Sequence, residues 1–190
     1  MLTITETALP EVFVIEPTVF GDERGFLVVT YIAQEFSDKT GVTVPFVQDN
    51  QSKSAKHVLR GLHYQIQKPQ GKLVRVLCGR IIDVAVDVRK DSPNLGKWVS
   101  YELSAANKRQ LWVPPGFAHG FYVLEDNTEV LYKTTDYYAP KHERTLQWND
   151  PDLNIDWGLV GKPVLSDRDQ VGTPFREVEL YATSPTYRSA

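Results

Sequence analysis

The chain has 190 residues, an apolar fraction of 42%, twelve glycines, twelve prolines and a formal net charge of −3. That length suits one large domain with a core of its own, and the composition excludes a disordered chain. The mild acidity excludes a general nucleic-acid-binding surface, so an anionic ligand must be met by a local cluster of bases.

In chain order, residues 1–6 carry no basic leader and no long apolar stretch, and no apolar run approaches the roughly 18 residues of a membrane helix. The sequence therefore predicts a cytoplasmic protein with no membrane association. A first strand is predicted at residues 11–15 and a helix at 32–40, with Ile32, Ala33 and Phe36 on one side and Gly41 as its stop. A second strand is predicted at 58–65. From Lys72 to Arg89 the even positions Val74, Val76, Cys78, Ile82, Val84, Val86 and Val88 are apolar. The odd positions mix apolar residues with Arg75, Asp83, Asp87 and Arg89. This period of two predicts two strands joined by a tight turn at Gly79-Arg80, with one core face and one charged face able to line a cavity. Cys78, the sole cysteine, is predicted to be a buried, inert thiol in a reducing compartment. Further strands are predicted at 98–103, 110–113, 120–124 and 129–134, and the polar stretch from about residue 170 is predicted to wrap the surface. Many short strands separated by Gly, Pro and Asn turns point to an all-β chain, a closed sandwich or jelly roll forming a single domain over residues 1–190.

Of the four histidines, His63 and His119 stand beside glycines that let a ligand approach the backbone. The Pro-x-Gly-x-x-His pattern at residues 114–119 resembles the second motif of the cupin superfamily. The His-x-His pair of that superfamily's metal-binding members is missing, because Gly61 and Gln65 flank His63 at two residues' distance. One or two histidines make a poor metal site, so the barrel mouth is expected to hold an organic substrate and no metal. Arg24, Arg60, Lys72 and Arg168, with Arg75 nearby, are candidate anion ligands; Arg24 and Arg60 each precede a glycine, and a guanidinium pairs bidentately with phosphate oxygens. No Gly-rich phosphate loop competes for that role. Gln48, Asp49 and Asn50 offer hydrogen bonds to a base edge. Tyr137 and Tyr138 offer a stacking face, or equally the packed end of a strand.

Read together, FGDERGF (20–26), VQDN (47–50), VLRGLHYQ (58–65), QGKLVR (70–75), PGFAHGF (115–121), LYKTTDY (131–137), WNDP (148–151) and LSDRD (165–169) resemble the dTDP-4-dehydrorhamnose 3,5-epimerase family. The resemblance runs in order and register over roughly residues 8–170. It implies a cupin-type jelly roll, no cofactor, a homodimer with part of each site crossing the interface, and dTDP-4-dehydro-6-deoxy-D-glucose as substrate. Carried over by position, it implies His63 as general base, Asp169 as the carboxylate that orients it, Tyr132 as general acid and Lys72 as the stabiliser of an enolate oxygen. Arg24, Gln48, Asn50, Arg60, His119, Glu143 and Arg168 become substrate contacts, with Tyr138 stacked on thymine. Val29 departs from the family, which usually has an acid there, and Arg168 stands where Lys is common. Arg60 and His63 are an odd number of positions apart and would face opposite sides of a regular strand, so a bulge or strand end is expected between them. Rival readings are an epimerase inverting one carbon only, a non-catalytic sugar-nucleotide binder, and a metal-dependent cupin.

Overall fold

The computed structural model describes residues 1–182. Thirteen strands carry it: β1 (Leu2–Glu6), β2 (Phe13–Pro17), β3 (Val19–Asp22), β4 (Gly25–Val28), β5 (Gln48–Ser54), β6 (Leu59–Gln65), β7 (Lys72–Cys78), β8 (Arg80–Asp87), β9 (Trp98–Ser104), β10 (Gln110–Val113), β11 (Phe117–Val123), β12 (Thr128–Thr134) and β13 (Glu143–Thr145). Helix α1 (Ala33–Thr40) and the single turn α2 (Asp167–Gln170) complete it with a 3₁₀ turn at Pro140–His142. Six strands in the order β1-β2-β10-β7-β12-β5 form one sheet, and five in the order β13-β6-β11-β8-β9 form the other. The architecture is the cupin-type β-sandwich that the sequence predicted. Among the described residues no helix is long and apolar enough to cross a membrane.

The alternation of side chains across each strand sorts them into three packed layers. Val74, Val76, Leu111 and Val113 of the six-stranded sheet meet Ile81, Ala85, Phe117 and Phe121 of the five-stranded sheet between the two. The outer face of the five-stranded sheet, with Leu62, Val84, Val86 and Tyr122, is covered by Leu146, Leu153, Trp157, Val178 and Tyr181. The last described residues lie on that face: Tyr64 Oη donates to the Glu179 carbonyl at 2.6 Å, and Leu146 and Arg89 bridge Thr173 and Tyr181. On the far side of the six-stranded sheet α1 packs Phe36 against Trp112. The hairpin β3–β4 stands apart from both sheets, with Phe20 and Phe26 each 59% exposed and Leu27 68% exposed.

Several expectations change. α1 ends at Gly41 in the left-handed conformation, as predicted, but its buried side is Phe36 and Thr40. Ile32 is the exposed N-cap residue. β7 and β8 are not a hairpin: at Gly79 (φ 77°) the chain leaves one sheet for the other. The crossing reverses which parity faces inward. Val74 and Val76 are inward on β7, Ile81 and Ala85 on β8. Arg75 consequently lies on the outer side, beside Asp49 and Lys133, while Asp83 is fully buried between the sheets. Cys78 is exposed, because the register of β7 with β12 shifts between Val130 and Glu129 and the strand end turns away from the core. Strands β3, β4, β5 and β13 had no clear apolar alternation to reveal them, and β1 alternates only over Leu2 to Thr5; β5 reads QDNQSKS, all polar.

Candidate functional site

A cavity of about 590 Å³ opens between the two sheets, within the size range of small-molecule sites. The six-stranded sheet sends in Gln48, Asn50 and Ser52 from β5, Lys72 from β7 and Tyr132 from β12; the five-stranded sheet sends in Arg60 and His63 from β6 and His119 and Phe121 from β11. Tyr138 and Glu143 flank the cavity, and Ser166, Arg168 and Asp169 close its rim from α2 and its cap.

Arg60 and His63 share this cavity because β6 is bulged. His119 pairs with His63 and Phe121 pairs with Arg60, so three steps on β6 match two on β11. Gly61 occupies the irregularity at φ 113°, where a Cβ would stand 2.6 Å from the Gly120 Cα and 2.7 Å from the His119 carbonyl oxygen. Only glycine satisfies both the dihedral and the close strand approach. The bulge expected from the odd spacing is present.

His63 Nε2 and Asp169 Oδ1 are 2.7 Å apart. The carboxylate accepts at Nε2, which assigns the proton there and leaves Nδ1 with the lone pair. Burial holds the His63 pKa below its ordinary value, opposed by the hydrogen bond and charge of Asp169. Asp169 is 3% exposed. Burial pushes its carboxyl up, but the hydrogen bond and charge of His63 and the Ser166 hydroxyl together bring it below the usual range. Lys72 is buried, its Nζ donating to the His63 carbonyl oxygen at 3.2 Å. Burial lowers its pKa to about 8, partly offset by the charges of Glu143 and Asp83. The Tyr132 phenol is pushed up by burial, so it stays protonated across the neutral range.

The anion-binding side is built of paired groups. Arg60 Nε donates to Ser54 Oγ at 3.2 Å. Arg168 is bonded to Glu143 Oε2, which also accepts from Tyr138 Oη at 2.7 Å. Gln48 Nε2 donates to Asn50 Oδ1 at 2.8 Å.

Two expected ligands lie elsewhere. Asp49 faces the opposite side of β5 from Gln48 and Asn50, as the two-residue period dictates, and forms an ion pair with Lys133 at 3.0 Å. Arg24 sits at the tip of the β3–β4 hairpin, 85% exposed and paired with Asp22, outside this chain's cavity. Val29, just past β4, is 42% exposed and likewise outside. The residues that sequence reasoning passed over are Asp83, Ser52 and Ser166. Asp83 Oδ1 holds His119 Nε2 at 2.7 Å, and Asp83 Oδ2 and Ser52 Oγ are buried without a protein partner. Asp83 had a visible signal, a charge alternating with Ile81 and Ala85; Ser52 had none.

Fold and cavity together define the class: a cupin-type β-sandwich enclosing a polar pocket in which a histidine–aspartate pair, a lysine and a tyrosine converge from different strands. The model of the family dTDP-4-dehydrorhamnose 3,5-epimerase matches residues 6–177. A dTDP-4-dehydrorhamnose 3,5-epimerase of Pseudomonas aeruginosa is 54% identical over 93% of this chain and 98% of its own. A dTDP-6-deoxy-D-glucose-3,5-epimerase of Legionella pneumophila, solved with dTDP-4-keto-L-rhamnose, superposes with a TM-score of 0.95 at 46% identity, covering 97% of this chain and all of that one. A 3'-monoepimerase of Streptomyces bikiniensis, solved with dTDP-quinovose, has a TM-score of 0.86 at 30% identity over 90% of this chain and 87% of its own. This chain belongs to the dTDP-4-dehydrorhamnose 3,5-epimerase family.

Proposed function

We propose that this protein inverts C3 and C5 of dTDP-4-dehydro-6-deoxy-D-glucose, giving dTDP-4-dehydro-L-rhamnose for dTDP-L-rhamnose synthesis. The observation that carries the reading is the supply of a base and an acid to one cavity from opposite sheets: His63, backed by Asp169 of α2, from one and Tyr132 from the other. A C–H beside a ketone is acidic only because the ketone oxygen can take the charge as an enolate. His63 Nδ1 takes the proton, and the electron pair passes through the carbonyl to the C4 oxygen. Lys72, a cation at neutral pH, stabilises that oxyanion where charge develops. Tyr132 then delivers a proton to the opposite face of the carbon as the electron pair returns from the oxygen; His63 gives its proton to solvent and Tyr132 regains one before the same steps at the second carbon. Asp169 holds the His63 tautomer and supports the imidazolium. Arg60 and Arg168 suit a diphosphate, with the Glu143–Arg168 pair rearranging to receive it. Gln48, Asn50 and His119 supply polar contacts, and exposed Tyr138 offers a face to the base. The scheme needs side chains alone.

The β3–β4 hairpin supports a homodimer. Its large apolar side chains have little of this chain to cover them, and a second copy of the chain would bury them. A single free cysteine and a nucleotide-sugar substrate fit a cytoplasmic location. A second reading, inversion at one carbon only, is favoured by Val29 and by the likeness to the monoepimerase.

The test is incubation with the substrate in deuterium oxide, reading label at C3 and C5 by NMR for the wild type and His63→Asn. Label with inverted configuration at both carbons supports double inversion; inversion at one carbon only assigns the single-centre reading. A general base contributes about 10²- to 10⁴-fold, so His63→Asn should lose exchange by that factor while binding dTDP. Exchange near the wild-type rate in that variant overturns the assignment of the base.

A further inference from the structure

We propose that Ser166 is a positioning residue of the reaction: its hydroxyl fixes the Asp169 carboxylate, and the carboxylate in turn fixes His63. This rests on the reading of His63 as the base.

Ser166 does two separable things. Its Oγ accepts from the Asp169 backbone N–H at 3.2 Å, which is ordinary capping of a helical turn. The same Oγ donates its proton to Asp169 Oδ2 at 2.8 Å. Capping requires only the acceptor. The donated bond serves the carboxylate, whose other oxygen is taken by His63. A hydroxyl has one proton and two lone pairs, so it can accept from the backbone and donate to the carboxylate together.

The second bond matters because Asp169 is almost wholly buried. Without the hydroxyl, Oδ2 would be a charged acceptor with no protein donor, a costly state that rotation of the carboxylate toward solvent relieves. Such a rotation carries Oδ1 away from His63 Nε2 and frees the imidazole to turn its Nδ1 from the substrate. Ser166 also lines the cavity, so a bound nucleotide sugar excludes the water that could replace the hydroxyl. The effect therefore belongs to turnover more than to the empty enzyme. A loss confined to kcat is the mark of misplaced chemistry with intact binding.

Three variants separate the roles. Ser166→Ala removes cap and donor and should lower kcat about tenfold, part of what the base itself supplies, with KM within about threefold. Ser166→Asp keeps a capping oxygen but, ionised, donates nothing and sets a second negative charge beside Asp169. It should lower kcat at least as far, and the added like charge should also lower the melting temperature. Ser166→Thr keeps both functions and should restore at least about a third of wild-type kcat. Wild-type kcat in Ser166→Ala or Ser166→Asp overturns the proposal, the latter reducing Ser166 to a cap. A change carried by KM alone also overturns it, making Ser166 a substrate contact. His63→Asn measured alongside distinguishes the failures: an active His63→Asn removes the reading of the base, whereas an inactive one beside a fully active Ser166→Ala removes only the positioning role.

Discussion

Replacing Lys72 with methionine should cost the protein its activity and raise its stability at once. Methionine has nearly the length of lysine without the charge. Burial lowers the Lys72 pKa from 10.5 to about 8, and that fall corresponds to about 3 kcal/mol by which the folded state disfavours the ammonium. The cost has a definite pH dependence. Below about 8 both the folded and the unfolded states carry the proton, and the wild type bears the full penalty. Between about 8 and 10.5 the folded state sheds its proton first and the penalty shrinks; above 10.5 it is gone. Against this stands the hydrogen bond to the His63 carbonyl, worth about 1 kcal/mol. Lys72→Met should therefore be more stable than the wild type by about 1–3 kcal/mol at pH 7, roughly 2–12 °C in melting temperature for a chain of this size, and the gap should close as pH passes 10. Over the same range kcat/KM should fall by about 10²-fold or more, as for loss of an oxyanion donor. Thermal melts at several pH values, with inversion rates followed by NMR, measure both. A variant less stable than the wild type at pH 7, or a gap indifferent to pH, would refute the assignment of a buried ammonium. In the wild type the same group should set an alkaline limb in kcat/KM near pH 8, with the acid limb below 6.5, where His63 takes up its proton.

Tyr132→Phe should keep a slowed deuterium exchange at the reacting carbons yet form little inverted product, since in the proposed mechanism His63 and Lys72 can still make the enolate while the opposite face lacks its acid; wild-type inversion in NMR time courses would move the acid elsewhere. Arg60→Ala should weaken dTDP and substrate alike by about tenfold, the loss of the proposed charge-assisted phosphate contact, read by calorimetric titration. Gly61→Ala should destabilise by about 2 kcal/mol or more, since its Cβ would meet the backbone of β11 at 2.6 Å in a dihedral region costly to other residues; denaturant melts test it.

The strands that the sequence revealed carry apolar residues on their inner side, as β7, β8, β10 and β12 do. Among the strands that escaped, β5 is polar for a physical reason. It is the edge of its sheet, and its inward side lines the cavity where the core would otherwise be. Functional polarity there erased the pattern by which strands are recognised. The odd spacing of Arg60 and His63 was likewise legible as a conflict with a regular strand, and the bulge at Gly61 resolves it.

By itself the sequence determined the all-β class, the helix stop at Gly41, the family and the chemistry-bearing residue types, since these depend on local period, turn residues and motif order. Only the tertiary structure decided which of those residues meet. Asp169 lies 106 positions from His63 in the chain, yet their atoms are 2.7 Å apart. Asp49 is adjacent to two lining residues and points away. Arg75 and Asp83 share a parity yet lie on different faces because the chain changes sheets at Gly79. Side-chain direction alternates with every residue and resets at every turn and bulge, so a site assembled from six strands and a helical turn is set by register and crossing, which no local stretch of sequence encodes.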